Sequence, residues 1–180
     1  MKAFMGVALA LFGSAQAQTV VYDTFNEAQP EILFDCCNAL TITGPHTEAK
    51  RNAVAVPFTP EAFSKIREVD IALSTFAPVS KLKISINGSE NGLPGREKKA
   101  WSRNPSPAGQ CCQYVVATVG QAVHAAAGGH YWIIVEGQDD AQGGWNLNSM
   151  GTSGPYAVRQ KDGAWTMTEG PLPAVRIIAK

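Results

Sequence analysis

The chain has no excess charge of either sign: Lys plus Arg number 15, and Asp plus Glu number 15. A nucleic-acid binder usually shows a basic excess or patch, so this balance argues against one. Imidazoles are scarce, only His46, His124 and His130. With no Gly-x-Ser-x-Gly elbow either, nucleophilic catalysis has little to build on. The absence of C-x-x-C removes the usual thiol-redox motif. The absence of an EF-hand loop removes the commonest calcium signature. Charged residues make up 17% and hydrophobic residues 45%, a balance that argues against disorder.

What is present begins with an address. Lys2 precedes an almost uninterrupted apolar run, Ala3 to Gly13, followed by Ala15-Gln16-Ala17. This is the pattern of a secretory signal peptide over residues 1–17, cleaved after Ala17. The run of about eleven residues is short for a membrane span, which needs about 20. Residues 18–180 contain no second long apolar run. The expectation is one exported domain with no membrane span, free outside the cell, in a periplasm or at a cell surface.

Four cysteines occur as two adjacent pairs, Cys36-Cys37 and Cys111-Cys112. In an oxidising compartment an even count suggests disulfides, and four cysteines allow three connectivities. Neighbours on a strand face opposite ways, so two links between the pairs require a turn or loop at one of them. A bridge from Cys37 to Cys112 would close about 75 residues, worth about 4–5 kcal/mol in the chain-entropy model. Directly adjacent thiolates suit zinc poorly. No metal and no cofactor are expected.

The hydrophobic pattern has period two and comes in short runs. Ten are visible: 19–22, 40–43, 53–58, 69–73, 81–86, 114–119, 131–135, 156–158, 164–167 and 175–178. Lys81 to Ile86 alternates cleanly, with Leu82, Ile84 and Ile86 on one face. Turn residues such as Asn87-Gly88, Asn91-Gly92 and Asp162-Gly163 separate the runs. About ten short strands between turn signals predict an all-β, antiparallel sandwich. Thr59 to Phe63 and Gln121 to Ala127 carry helix signals but are too short to be stable alone. Single helical turns are the most they should form. Residues 98–110 read as loop.

Several segments carry a likeness. YWIIVEG, GGWNLNSMGTSGPYAVRQ and DGAWTMTEGPLPAVRI occur in order, preceded by DCCNALTITG, FTPEAFSKIREVDIALS and NGSENGLPG before Trp101. Together they resemble exported bacterial β-sandwich proteins of the choice-of-anchor or PEP-CTERM type, over roughly residues 20–178. The resemblance implies a secreted jelly-roll-like sandwich, similar in outline to carbohydrate-binding modules. Relatives of that type often end in an apolar sorting helix with a basic tail, which this chain lacks.

Trp residues stack on sugar rings, and amides read hydroxyls. Trp101, Trp132 and Trp145, with Asn146 and Asn148, are therefore the candidate ligand-binding residues. Alternation along Trp145 to Asn148 sets the Trp and the amides on opposite faces, which equally suits a core Trp with turn-capping amides. Glycoside hydrolysis needs two facing carboxylates, and no acidic spacing here implies a pair. The expected function is a secreted, non-catalytic module recognising polysaccharide at a surface or in matrix. The alternatives are a structural surface protein acting through protein contacts and a carbohydrate-active hydrolase.

Overall fold

The computed structural model describes residues 18–49, 51–76, 81–103, 113–161 and 163–180. The expected signal peptide, with Cys111 and Cys112, lies outside them. The chain is all-β and antiparallel: β1 (Thr19–Asp23), β2 (Ala39–Thr43), β3 (Asn52–Phe58), β4 (Ser64–Thr75), β5 (Leu82–Glu90), β6 (Leu93–Arg103), β7 (Gln113–Ala125), β8 (Tyr131–Gly137), β9 (Gln142–Asn146), β10 (Ser153–Gln160), β11 (Thr166–Pro171) and β12 (Val175–Ala179). Among the described residues the only helix is a 3-10 turn at Pro30–Ile32. No helix among them is long and apolar enough to cross a membrane.

The strands form one sheet in the order β1-β12-β4-β9-β2-β3-β8-β5-β6, with β10 beside β3, β11 beside β10, and β7 beside β4. Directly paired residues share a face. Val54 and Val56 of β3 therefore line up with Val135 and Ile133 of β8. Ile84 and Ile86 of β5 meet those same β8 residues. From the other half, Val69 and Ile71 of β4 pair with Ile177 and Val175 of β12. All of these belong to one buried cluster. At about 25 cal/mol per Å² of apolar surface removed from water, this shared face is the main source of stability.

Among the described residues β6 and β9 stand as strands where the sequence carries only weak signals. β6 reads LPGREKKAWSR, mostly polar, and covers residues 98–103, where a loop was expected. Among the described residues it is an edge strand paired with β5. β9 reads QGGWN and sits between β4 and β2. Its glycines allow close approach: a Cβ on Gly143 would lie 2.7 Å from the Ser74 carbonyl oxygen.

Neither expected helical turn forms. Gln121 to Ala125 ends β7, with Val123 and Ala125 buried and paired to Ile66 and Ser64. Burial of alternate side chains outweighs the weak helix preference of the Ala-rich sequence.

The Cys36-Cys37 pair departs from the expectation of two links. Cys36 is disulfide-bonded, but Cys37 is exposed with a free thiol. Asp35 Oδ1 accepts from the backbone N–H of Cys37 at 2.8 Å and of Asn38 at 3.1 Å. Those bonds, with Asn38 Nδ2 donating to Asp35 Oδ2 at 2.8 Å, hold the Asp35 carboxyl below its usual range. Adjacent side chains leave the backbone in different directions, so one cysteine can point to a partner while its neighbour faces water.

Candidate functional site

The expected ligand residues have structural surroundings. Trp145 is fully buried, and its Nε1–H donates to the Ala174 carbonyl at 2.9 Å. Neither face of its ring is open to a sugar. Asn146 is buried: its Oδ1 accepts from Ser74 Oγ at 2.8 Å and its Nδ2 donates to the Asp35 carbonyl at 3.1 Å. Asn148 Nδ2 donates to the carbonyls of Thr152 and Leu172, and its Oδ1 accepts from the Thr152 N–H. It ties a turn to the stretch before β12. Trp101 is buried opposite Ile84 in the main core. Trp132 is buried with Ala55, Ile134 and Ala157 in a smaller cluster on the other face of the sheet. The five do not converge on one site.

That other face, across β5, β8, β3 and β10, is where polar chemistry collects. Register sets it out in rows. Lys83 lies opposite Glu136, Ser85 opposite Ile134, and Asn87 opposite Trp132. Ala53 is flanked by Glu136 on one side and Arg159 on the other. Because the intervening Ala53 is small, the Arg159 guanidinium reaches across it to the Glu136 carboxylate. Lys83 Nζ lies 3.4 Å from Glu136 Oε2 and 2.6 Å from Glu97 Oε2. Two carboxylates and two cations thus form a chain across five strands, β6 to β10.

These groups line a groove of about 660 Å³. Its floor is Ser85, Ile134 and Glu136. One wall is Trp165, in the loop before β11, with the Arg159 guanidinium 4.7 Å from its ring centre. Trp165 is the half-buried tryptophan of the four and packs against the Trp132–Ile134 cluster. The opposite wall is the β5–β6 hairpin, turned at Asn91 and Gly92 with φ of 52° and 77°. Those left-handed values match an Asn-Gly hairpin turn.

The hairpin wall is fixed by its own hydrogen bonds. Ser85 Oγ donates to Asn87 Oδ1 at 2.9 Å, and Asn87 Nδ2 donates to the Gly95 carbonyl at 2.7 Å. Glu90 folds over Gly95, where a Cβ would sit 2.4 Å from the Glu90 side chain. Glu90 Oε1 then accepts from the Arg96 N–H at 3.2 Å. The polar wall is thereby ordered before any ligand arrives, which lowers the entropic cost of binding. Asn87, which begins an Asn-Gly-Ser sequon, is spent on this network and buried.

Sequence reasoning missed Lys83, Glu136, Arg159 and Trp165 as a group. The alternation in KLKISI already set Lys83 and Ser85 on one face. The pairing of that face with Glu136, over 50 residues later, is a matter of register, which no local pattern specifies. Among the described residues no group of three or more His, Cys, Asp or Glu side chains is placed to hold a metal ion. No family model matches the chain, and no curated protein matches it by sequence.

Proposed function

We propose that the protein is an exported, non-catalytic module that binds polysaccharide in the groove between Trp165 and the β5–β6 hairpin. The single observation carrying this reading is the pairing of a half-buried Trp165 with a fixed row of carboxylate, guanidinium and ammonium groups on one sheet face. Sugars offer apolar C–H faces and a ring of hydroxyls, and this groove offers a partner for each. The 660 Å³ volume accommodates a short stretch of glycan. We further read the sheet as folding on itself into a jelly-roll-like sandwich. The shared burial of both halves' apolar faces supports that arrangement. Export is supported by the N-terminal pattern and by the disulfide at Cys36.

The test is affinity electrophoresis of the folded protein, residues 18–180, in gels containing neutral glucans, xylan or galactan. Retardation is expected in at least one, and Trp165→Ala and Glu136→Gln should each weaken it by about tenfold, or about 1.4 kcal/mol. Free migration in every gel, with a native circular-dichroism spectrum, would refute the reading.

One observation favours a second reading, hydrolysis of a glycosidic bond. Glu97 and Glu136 both contact Lys83 Nζ, at 2.6 and 3.4 Å, so their nearer oxygens are at most 6.0 Å apart. Retaining glycosidases place two carboxyls about 5–5.5 Å apart. Here, however, the Lys83 ammonium contacts both, in the space a scissile bond would need. Release of reducing sugar that disappears in Glu97→Gln and Glu136→Gln would favour this reading over simple binding.

A further inference from the structure

We propose that a second groove, between the edge strands β6 and β7, binds acidic polysaccharide through a cluster of otherwise unneutralised cations. This groove shares Glu90 and Glu97 with the Trp165 groove but none of its cations, and the proposal does not depend on that one being a glycan site.

The groove is built by irregular pairing. Among the described residues β6 pairs only with β5, and β7 only with β4, so two sheet edges flank a space of about 920 Å³. In the β4–β7 ladder Ile66 faces Val123 and Glu68 faces Thr118. Residues 119–122 of β7 therefore stand against Arg67 alone. Arg67 is skipped on its other side too, where Glu68 faces Ile178 and Ile66 faces Ala179. In the β5–β6 ladder the register slips twice between Ile86 and Ser89, at Lys98 and again between Glu97 and Pro94. Bulges re-aim side chains and recur next to binding sites. Here bulges on three strands line one space.

What they bring there is positive charge. Arg67, Arg96, Lys98 and Lys99 all line the groove, four of the 15 cations of a chain with zero formal net charge. None is ion-paired with any described residue. Two acidic groups share the lining: Glu97 is neutralised by Lys83, and Glu90 accepts from the Arg96 N–H, so positive charge remains in excess. Lysines on an edge strand often serve only to discourage strand addition. That role does not account for Arg67, which lies on an interior strand between β12 and β7.

The partner's chemistry follows from the charge density. Four cations on a neutral protein suit a polymer with one charge per sugar better than a nucleic acid, whose binders carry an overall basic excess. A bilayer surface is disfavoured because the cations line a concave space rather than a projecting face. Uronate carboxylates meet guanidinium and ammonium groups as charge-assisted hydrogen bonds.

The experiment measures binding of the folded protein, residues 18–180, to polygalacturonate, with neutral galactan and single-stranded DNA as comparison probes. Polygalacturonate should bind at low ionic strength and release as salt rises through about 0.1–0.5 M, where the Debye length shortens below about 10 Å. The exposed substitutions Arg67→Ala with Arg96→Ala should weaken it by about tenfold or more at unchanged melting temperature. Trp165→Ala should leave it unchanged, so failure here and failure of the Trp165 groove are read separately. Wild-type binding by the double variant, no binding at low salt, or equal affinity for DNA would each overturn the proposal.

Discussion

Trp145 reaches Ala174 through a single buried hydrogen bond, Nε1 to carbonyl oxygen, 2.9 Å long. The bond links β9 to the residue just before β12. Trp145→Phe keeps most of the ring but removes the donor. The Ala174 carbonyl retains the Ala72 N–H at 3.3 Å, so it is not orphaned. The expected loss is about 1 kcal/mol. Trp145→Ala empties the core and should cost about 3–5 kcal/mol. Urea denaturation of the two variants checks both values. Equal stability of Trp145→Ala and wild type would mean the ring is not in the core.

Gly44 and Gly137 bring two backbones together. A Cβ on Gly137 would lie 2.5 Å from the Gly44 nitrogen, and one on Gly44 would lie 2.3 Å from the Asp139 carbonyl oxygen. Backbone on both sides leaves no flexible side chain to yield. Gly137→Ala should therefore destabilise by about 1–3 kcal/mol or more through overpacking. Gly120→Ala, with open space at its Cβ, is the matched control and should be near neutral. Thermal melts of the pair provide the comparison.

How much was legible beforehand follows from the same distinction between local and long-range information. The alternation in KLKISI and YWIIV placed strands correctly because burial on one or both faces leaves a local trace. Asn91-Gly92 announced its hairpin because only such residues take left-handed φ cheaply. β6 left no trace, since an edge strand needs few apolar residues. Trp145 could be read as core or as ligand platform because an exposed and a buried Trp are identical in sequence. The groove itself depends on Lys83, Glu136 and Arg159 meeting across strands far apart in the chain, and only register decides that.

Asp70 is buried beneath Tyr114, whose hydroxyl donates to its Oδ2, while Oδ1 has no hydrogen-bond partner. Burial raises the carboxyl's pKa; the Tyr114 bond opposes the rise, Glu68 and Asp23 add to it, and Arg176 counters them. A carboxyl with a raised folded pKa costs nothing below its unfolded value, where it is protonated in both states. As pH climbs through the folded pKa the buried charge subtracts stability. Asp70→Asn keeps an acceptor for Tyr114 and removes that charge. The variant should match wild type near pH 3.5 and exceed it at pH 7, an ordering read from denaturation midpoints across that range. A gain that did not grow with pH would contradict the burial argument.

Cys37 is free and exposed while Cys36 is disulfide-bonded. A thiol reagent should label Cys37 in the native protein, and peptide mapping should find Cys36 unlabelled. Cys37→Ser should leave stability within about 0.5 kcal/mol. Cys36→Ser should lower it by about 2–5 kcal/mol, as loss of a native link does in small secreted domains.

Lys83 sits between Glu97 and Glu136, and its removal separates folding from recognition. Its side chain is 30% exposed, Glu97 43% and Glu136 15%. Water screens most of the attraction, so Lys83→Met should cost only about 0.5–1 kcal/mol of stability. The effect on the groove is larger in kind, because Glu97 loses its cation while Glu136 keeps Arg159. With no ammonium between them the two carboxylates repel and the Glu97 side chain is free to swing outward. Glycan affinity in the Trp165 groove should then fall by more than stability does. Polygalacturonate binding between β6 and β7 should fall as well, since an unheld Glu97 brings negative charge to that rim. Paired titrations of Lys83→Met against both polymers, with a melt on the same sample, test the coupling. Unchanged affinity for both would show that the Lys83 bridge organises neither groove.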